Sequence, residues 1–126
     1  MANDLTQAIQ LIQGAQPNKT TRKLGNNTYG RIDGDSVAIR LHSTDVVTFT
    51  GDNKVTLNSG GWATVTTKAR MNEYLPDGYR VSQSNYEWFI TLPSGEVVEF
   101  PIRRLSAFSG PKHYAVINLN TGQLEA

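Results

Sequence analysis

Val37-Ala38-Ile39-Arg40-Leu41-His42 places Val, Ile and Leu at every second position, with Ala38, Arg40 and His42 between them, so it reads as a half-buried β-strand. Asp33-Gly34 just before it is a hairpin-turn signal, and it follows a second candidate strand, Thr28 to Ile32. On the other side, Asp45 to Thr50 is rich in β-branched residues and carries Phe49. It leads through Gly51-Asp52-Asn53 into Lys54 to Asn58, where Val55 and Leu57 point one way. A parallel connection needs a dozen or more residues, and none of these links is that long. Residues 27 to 59 are therefore expected to form a four-stranded antiparallel meander that buries Val37, Ile39, Leu41, Val55 and Leu57.

Upstream, Leu5, Ala8, Ile9 and Ile12 recur at helical spacing within Asn3 to Gln13, with Asn3 as the expected N-cap and Gly14 and Pro17 as the stop. Gln16 to Lys23 is polar, basic and aperiodic, and reads as a linker. Residues 1–22 are thus a helix with a polar linker, and residues 23–126 a single α+β domain. Downstream of the meander, Thr66 or Thr67 caps a helix that carries Met71, Tyr74 and Leu75 on one face and ends at Pro76-Asp77-Gly78. Trp62, directly after two glycines, is expected to be largely buried and to anchor that helix to the meander. Tyr79 to Gln83 and Tyr86 to Leu92 form a second hairpin, which continues through Pro93-Ser94-Gly95 into Glu96 to Phe100. Arg103 to Phe108 fits a helical turn or irregular chain, and Tyr114 to Leu119 a last strand. The fold class is α+β, an antiparallel β-meander sheet with one or two short helices packed on it.

Composition narrows the function. A chain of 126 residues, 38% of them hydrophobic, has room for one modest core and not for a multidomain enzyme. Twelve Lys and Arg against eleven Asp and Glu leave a formal charge of +1, so any affinity for anions has to be local. The absence of cysteine excludes disulfides, thiolate metal sites and thiol nucleophiles, and two histidines leave little for a metal. With no run of about 18 apolar residues and no charged-then-apolar leader, a soluble intracellular protein without membrane contact is expected. No cofactor is expected.

One segment carries candidate chemistry: Ser59-Gly60-Gly61-Trp62-Ala63-Thr64-Val65-Thr66-Thr67-Lys68-Ala69-Arg70. Gly60 and Gly61 permit close backbone approach, Thr66 and Thr67 offer hydroxyls, and a helix starting near Thr67 would aim free N–H groups outward. Lys68 and Arg70 in the first turn would oppose the helix dipole unless an anion sat there. Turns and caps alone also account for the pattern, and the Gly-x-x-x-x-Gly-Lys frame of a P-loop is missing. Arg40 and His42 are expected to share the outer face of one strand, where Thr56 and Asn58 could extend a polar patch for a phosphate or a base edge. His42, Ser43 and Asp45 are near neighbours in sequence, and alternation sends strand neighbours to opposite faces, which favours a turn over a triad. Arg103-Arg104 is a local positive spot.

Lys23-Leu24-Gly25-Asn26-Asn27-Thr28-Tyr29, then Val37-Ala38-Ile39-Arg40-Leu41-His42-Ser43-Thr44-Asp45-Val46-Val47-Thr48, then Leu57-Asn58-Ser59-Gly60-Gly61-Trp62-Ala63-Thr64-Val65-Thr66-Thr67-Lys68-Ala69-Arg70-Met71-Asn72 resemble a group of small uncharacterised proteins encoded by tailed bacteriophages. The resemblance covers residues 23 to 92. It implies a phage-encoded accessory factor made in the host bacterial cytoplasm and acting on nucleic acid or on a host protein. The resulting expectation is a non-enzymatic protein that binds a nucleotide or nucleic acid through Gly60, Gly61, Thr66, Thr67, Lys68 and Arg70 with Arg40 and His42 nearby. The alternative is a minor virion component or an inhibitor of a host protein.

Overall fold

A computed structural model describes residues 2–103 and 110–125. Helix α1 (Leu5–Gln13) is capped by Asp4 rather than Asn3: Asp4 is extended and its carboxylate accepts from Gln7 N at 2.8 Å. Asn3 is engaged elsewhere, its side-chain amide donating to Asp77 Oδ2 and accepting from Asp77 N. The stretch read as a linker carries a strand, β1 (Thr21–Gly25), which pairs antiparallel with β2 (Thr28–Asp33). The meander then runs as expected through β3 (Ser36–Leu41), β4 (Thr44–Thr50) and β5 (Lys54–Asn58). Its turns put left-handed backbone where the sequence tolerates it, at Gly34 (φ 61) and Asn53 (φ 60).

Helix α2 (Val65–Tyr74) takes the chain off the sheet, and the next strands do not return to it. β6 (Arg80–Ser84), β7 (Glu87–Thr91) and β8 (Val97–Glu99) form a separate three-stranded antiparallel sheet. Asn72 fastens that sheet to α2, donating to Val81 O at 2.8 Å and accepting from Val81 N at 2.7 Å. After β9 (Ile102–Arg103) the chain comes back as β10 (Lys112–Asn118), which pairs with β5, and ends in β11 (Gln123–Leu124). The large sheet has the order β1-β2-β3-β4-β5-β10-β11, with β9 also on β10. Most of the Arg103 to Phe108 stretch, Arg104 included, lies outside the described residues.

Strand alternation directs Val37, Ile39, Phe49, Val55, Leu57, Ala115 and Ile117 to one face of the large sheet, where all seven are buried. Ala8 and Ile12 of α1, Met71 and Tyr74 of α2, and Val81, Trp88 and Ile90 of the small sheet close over the same core. Each fully buried large aliphatic or aromatic side chain contributes about 1.5–3 kcal/mol. Gly30 allows α1 its close approach, because a Cβ there would collide with Ile12 Cδ1. The five meander residues expected in the core are all in it. The described residues are thus mostly antiparallel β-sheet with two short helices, and helices and small sheet together cover one face of the large sheet.

Candidate functional site

Two surfaces hold the residues that carry chemistry. The first is the outer face of the large sheet. One cross-strand row reads Lys23, Tyr29, Arg40 and Asp45, and a second reads Arg31, Ala38, Thr48, Thr56 and Val116. Apart from the small Ala38, their side chains are half-buried or exposed, with Tyr29 at 49%. Asn58 and Tyr114, directly paired, extend the face toward β10, and the Arg103 guanidinium stands 5.9 Å from the centre of the Tyr114 ring. Arg40, Thr56 and Asn58 therefore share one face, as the alternation of β3 and β5 requires.

Asp45 organises the cations of this face. Arg31 grips its carboxylate with two parallel hydrogen bonds of 2.7 Å, while Arg40 reaches it through Nε alone at 3.3 Å. The hydrogen bonds from Arg31, then the charges of Arg31 and Arg40, hold the Asp45 carboxyl below its ordinary range against the opposing pull of burial. One carboxylate between two guanidiniums leaves a net positive charge. Arg40 uses only Nε on Asp45; its side chain is 46% exposed, and its two terminal nitrogens make no hydrogen bond among the described residues.

The second surface is a cleft of about 490 Å3 at the end of β3 to β5, lined by Leu41, His42, Ser43, Thr44 and Val46 on one side and by Ser59, Trp62, Thr64, Thr66 and Thr67 on the other. The loop that forms the second wall is pinned. Gly60 N donates to Asn58 Oδ1, while Ser59 Oγ accepts from Gly61 N and His113 N. Gly60, at φ 64, packs so tightly on β4 that a Cβ would collide with Thr44 Oγ1. His42 does not share the face of Arg40. It leaves the strand at φ 55, in the two-residue turn between β3 and β4, and points to the cleft.

Trp62 is 63% exposed, contrary to the burial expected of it. Gly60 and Gly61, both at positive φ, swing the chain outward, so the indole forms the rim of the cleft and Met71, Tyr74 and Leu75 anchor the helix instead. The helix also starts earlier than Thr66 or Thr67. Thr64 is the N-cap, its hydroxyl accepting from Thr67 N at 3.1 Å, and Lys68 N already bonds to Thr64 O. Lys68 and Arg70 consequently stand beyond the turn of unpaired N–H groups, and their side chains diverge. Lys68 Nζ donates to Gln83 Oε1 and lies 5.1 Å from the Trp88 ring, whereas Arg70 donates to Thr28 Oγ1 and Glu73.

Of the eight expected site residues, His42, Thr66 and Thr67 line the cleft, and Gly60 and Gly61 shape its wall. Arg40 belongs to the outer face, and Lys68 and Arg70 to neither surface. Sequence reasoning missed Arg31 and Lys23 as companions of Arg40, because their place on the outer face depends on the pairing of β1 and β2. Behind the cleft, His113 stacks on Trp88 at 4.2 Å, and burial, then Lys68, pushes its imidazole below the ordinary range. No helix among the described residues is long and apolar enough to cross a membrane.

No curated protein and no solved structure matches the chain. A family model described as Kyanoviridae Gp96 protein matches residues 3–108. The match runs from the N-terminal helix past the small sheet and includes both walls of the cleft and the Tyr29-Arg40 row, so the chain belongs to the Kyanoviridae Gp96 protein family, a family of phage proteins.

Proposed function

We propose that this phage protein is a non-enzymatic accessory factor that binds single-stranded nucleic acid along the outer face of its large sheet, acting in the host bacterial cytoplasm. The observation that carries the reading is the pairing of Tyr29 with Arg40 in cross-strand register, with the guanidinium held in place by Asp45. An exposed ring on a strand surface can stack an unpaired base, and the guanidinium N–H groups of the cross-strand neighbour can meet the adjoining phosphate. A duplex buries its bases and offers that ring nothing. The anion-binding reading of the Gly60 to Arg70 segment thereby moves to the sheet, since Lys68 and Arg70 are engaged with Gln83, Thr28 and Glu73.

Fluorescence anisotropy of a labelled single-stranded oligonucleotide, titrated with protein at several salt concentrations, tests it. Binding should weaken with salt with a slope of about −0.7 per phosphate neutralised. Tyr29→Ala and Arg40→Ala should each lower affinity by about tenfold without unfolding the protein. Absence of binding at low salt, or equal binding by both variants, would overturn the reading in favour of a structural or protein-interaction role. The exposed Trp62, Val65 and Val97 would then be the surfaces to pursue.

A further inference from the structure

The cleft has walls that suit a different kind of contact from the sheet face. Among the described residues no Lys, Arg, Asp or Glu lines it, so those lining residues favour a neutral group over a charged one. Leu41 and Val46, almost wholly buried, form an apolar floor, the Trp62 indole forms an accessible rim, and Ser43, Thr44, Thr66 and the His42 imidazole supply donors and acceptors. The volume of about 490 Å3 falls within the range of roughly 300–1,000 Å3 typical of small-ligand sites. A ligand matched to these walls is neutral, planar and aromatic, with hydrogen-bonding groups at its edges.

The position of the cleft says where such a ring would come from. Arg40 is followed by Leu41 and His42, Asp45 by Val46, and Asn58 by Ser59, so the outer-face row ends where the cleft begins. A chain lying along Tyr29 and Arg40 passes the mouth of the cleft at the end of β3 to β5. Gly60 makes the junction possible, because its missing side chain lets the Trp62 loop close against Thr44. We infer that the cleft between the β3–β4 turn and the start of α2 accepts one unpaired nucleobase, stacked on Trp62 and recognised through its neutral ring rather than through phosphate. The inference rests on the proposed nucleic-acid reading for the source of the base, but the cleft can be probed without a strand.

The two tryptophans make the test internally controlled, since Trp62 is exposed and Trp88 is buried. In a nitrogen–proton correlation spectrum of the full chain, adenosine, guanosine, cytidine and uridine are each titrated to about 10 mM, a range suited to a millimolar dissociation constant. At least one nucleoside should shift the Trp62 indole signal and leave that of Trp88 in place, while ribose 5-phosphate and inorganic phosphate shift neither. Trp62→Ala, an exposed position that the fold does not need, should weaken nucleoside binding about tenfold, as read by saturation transfer to the ligand. Thr66→Phe, which fills the mouth from an exposed helix position, should weaken it as well. A Trp62 signal unmoved by every nucleoside, or moved equally by ribose 5-phosphate, overturns the inference.

Oligonucleotide binding separates the two claims. If Tyr29→Ala abolishes it and Trp62→Ala leaves it unchanged, the sheet-face reading stands and the cleft inference falls. If nucleosides shift Trp62 while no oligonucleotide binds, the cleft inference stands and the sheet-face reading falls.

Discussion

The two faces of the large sheet are built from the same strands and obey opposite rules. The covered face is apolar and buried, with Val37, Ile39, Phe49, Val55 and Leu57 at or near zero exposure under α1, α2 and the small sheet. The outer face spends its positions on Tyr29, Arg31, Arg40, Thr48 and Thr56, which gain little from burial. Period-two alternation forces this division, because each residue step along a strand changes face. One face therefore carries the stability and the other is free to carry function.

The sharpest way to break that division is to truncate an aromatic on each face. Phe49→Ala should cost about 3–5 kcal/mol in denaturant unfolding, since it empties a closed core, whereas Tyr29→Ala should stay within about 1 kcal/mol. Equal losses would mean that the faces are not distinct. The tryptophans sharpen the same contrast at a slightly smaller scale. Trp88, buried between His113 and Phe100, should cost about 3 kcal/mol or more as Ala, and Trp62→Ala no more than about 1 kcal/mol.

Acid probes the charges of the outer face. The Asp45 carboxyl is held below its unfolded value, so its stabilising contribution is fully present above about pH 4 and is lost as pH falls through the lower folded value. Asp45→Asn should be less stable than wild type at neutral pH, and the gap should close on acidification; a constant gap in melting temperature from pH 7 to pH 2 would contradict the Arg31 and Arg40 pairing. The smallest expected effect comes from His113 on the covered side. Its imidazole sits below the unfolded value, so the fold begins to lose stability as pH drops below about 6.5 and the loss levels off below the folded value. His113→Phe, which keeps a ring against Trp88, should remove that mild-acid slope.

Much of this was legible in the sequence where structure is local. The meander follows from alternation and from Asp33-Gly34 and Gly51-Asp52-Asn53, which is why its buried residues could be named in advance. β1 was not legible, because an edge strand whose one apolar side chain, Leu24, is only partly buried has no apolar alternation to show. The two-residue strands β9 and β11 are too short for any pattern. Thr64, Thr66 and Thr67 are all competent caps, and only the extended backbone of Thr64, set by the pinned loop before it, decides between them. The directions of Lys68 and Arg70 depend on Gln83 and Thr28, far away in sequence, and Trp62 was misplaced because a glycine pair can turn a chain inward or outward.

The central claim is that single-stranded nucleic acid lies on the outer face and leaves the covered face untouched. Side-chain NMR of the full chain during titration with a single-stranded oligonucleotide at low salt tests this directly. The Tyr29 ring and the Arg40 Nε–H should shift and saturate together, while the methyl signals of Ile39, Val55 and Ile117 stay in place. Shifts confined to α1 or to β6–β8, or no shift of Tyr29 and Arg40 at saturating oligonucleotide, would contradict the account.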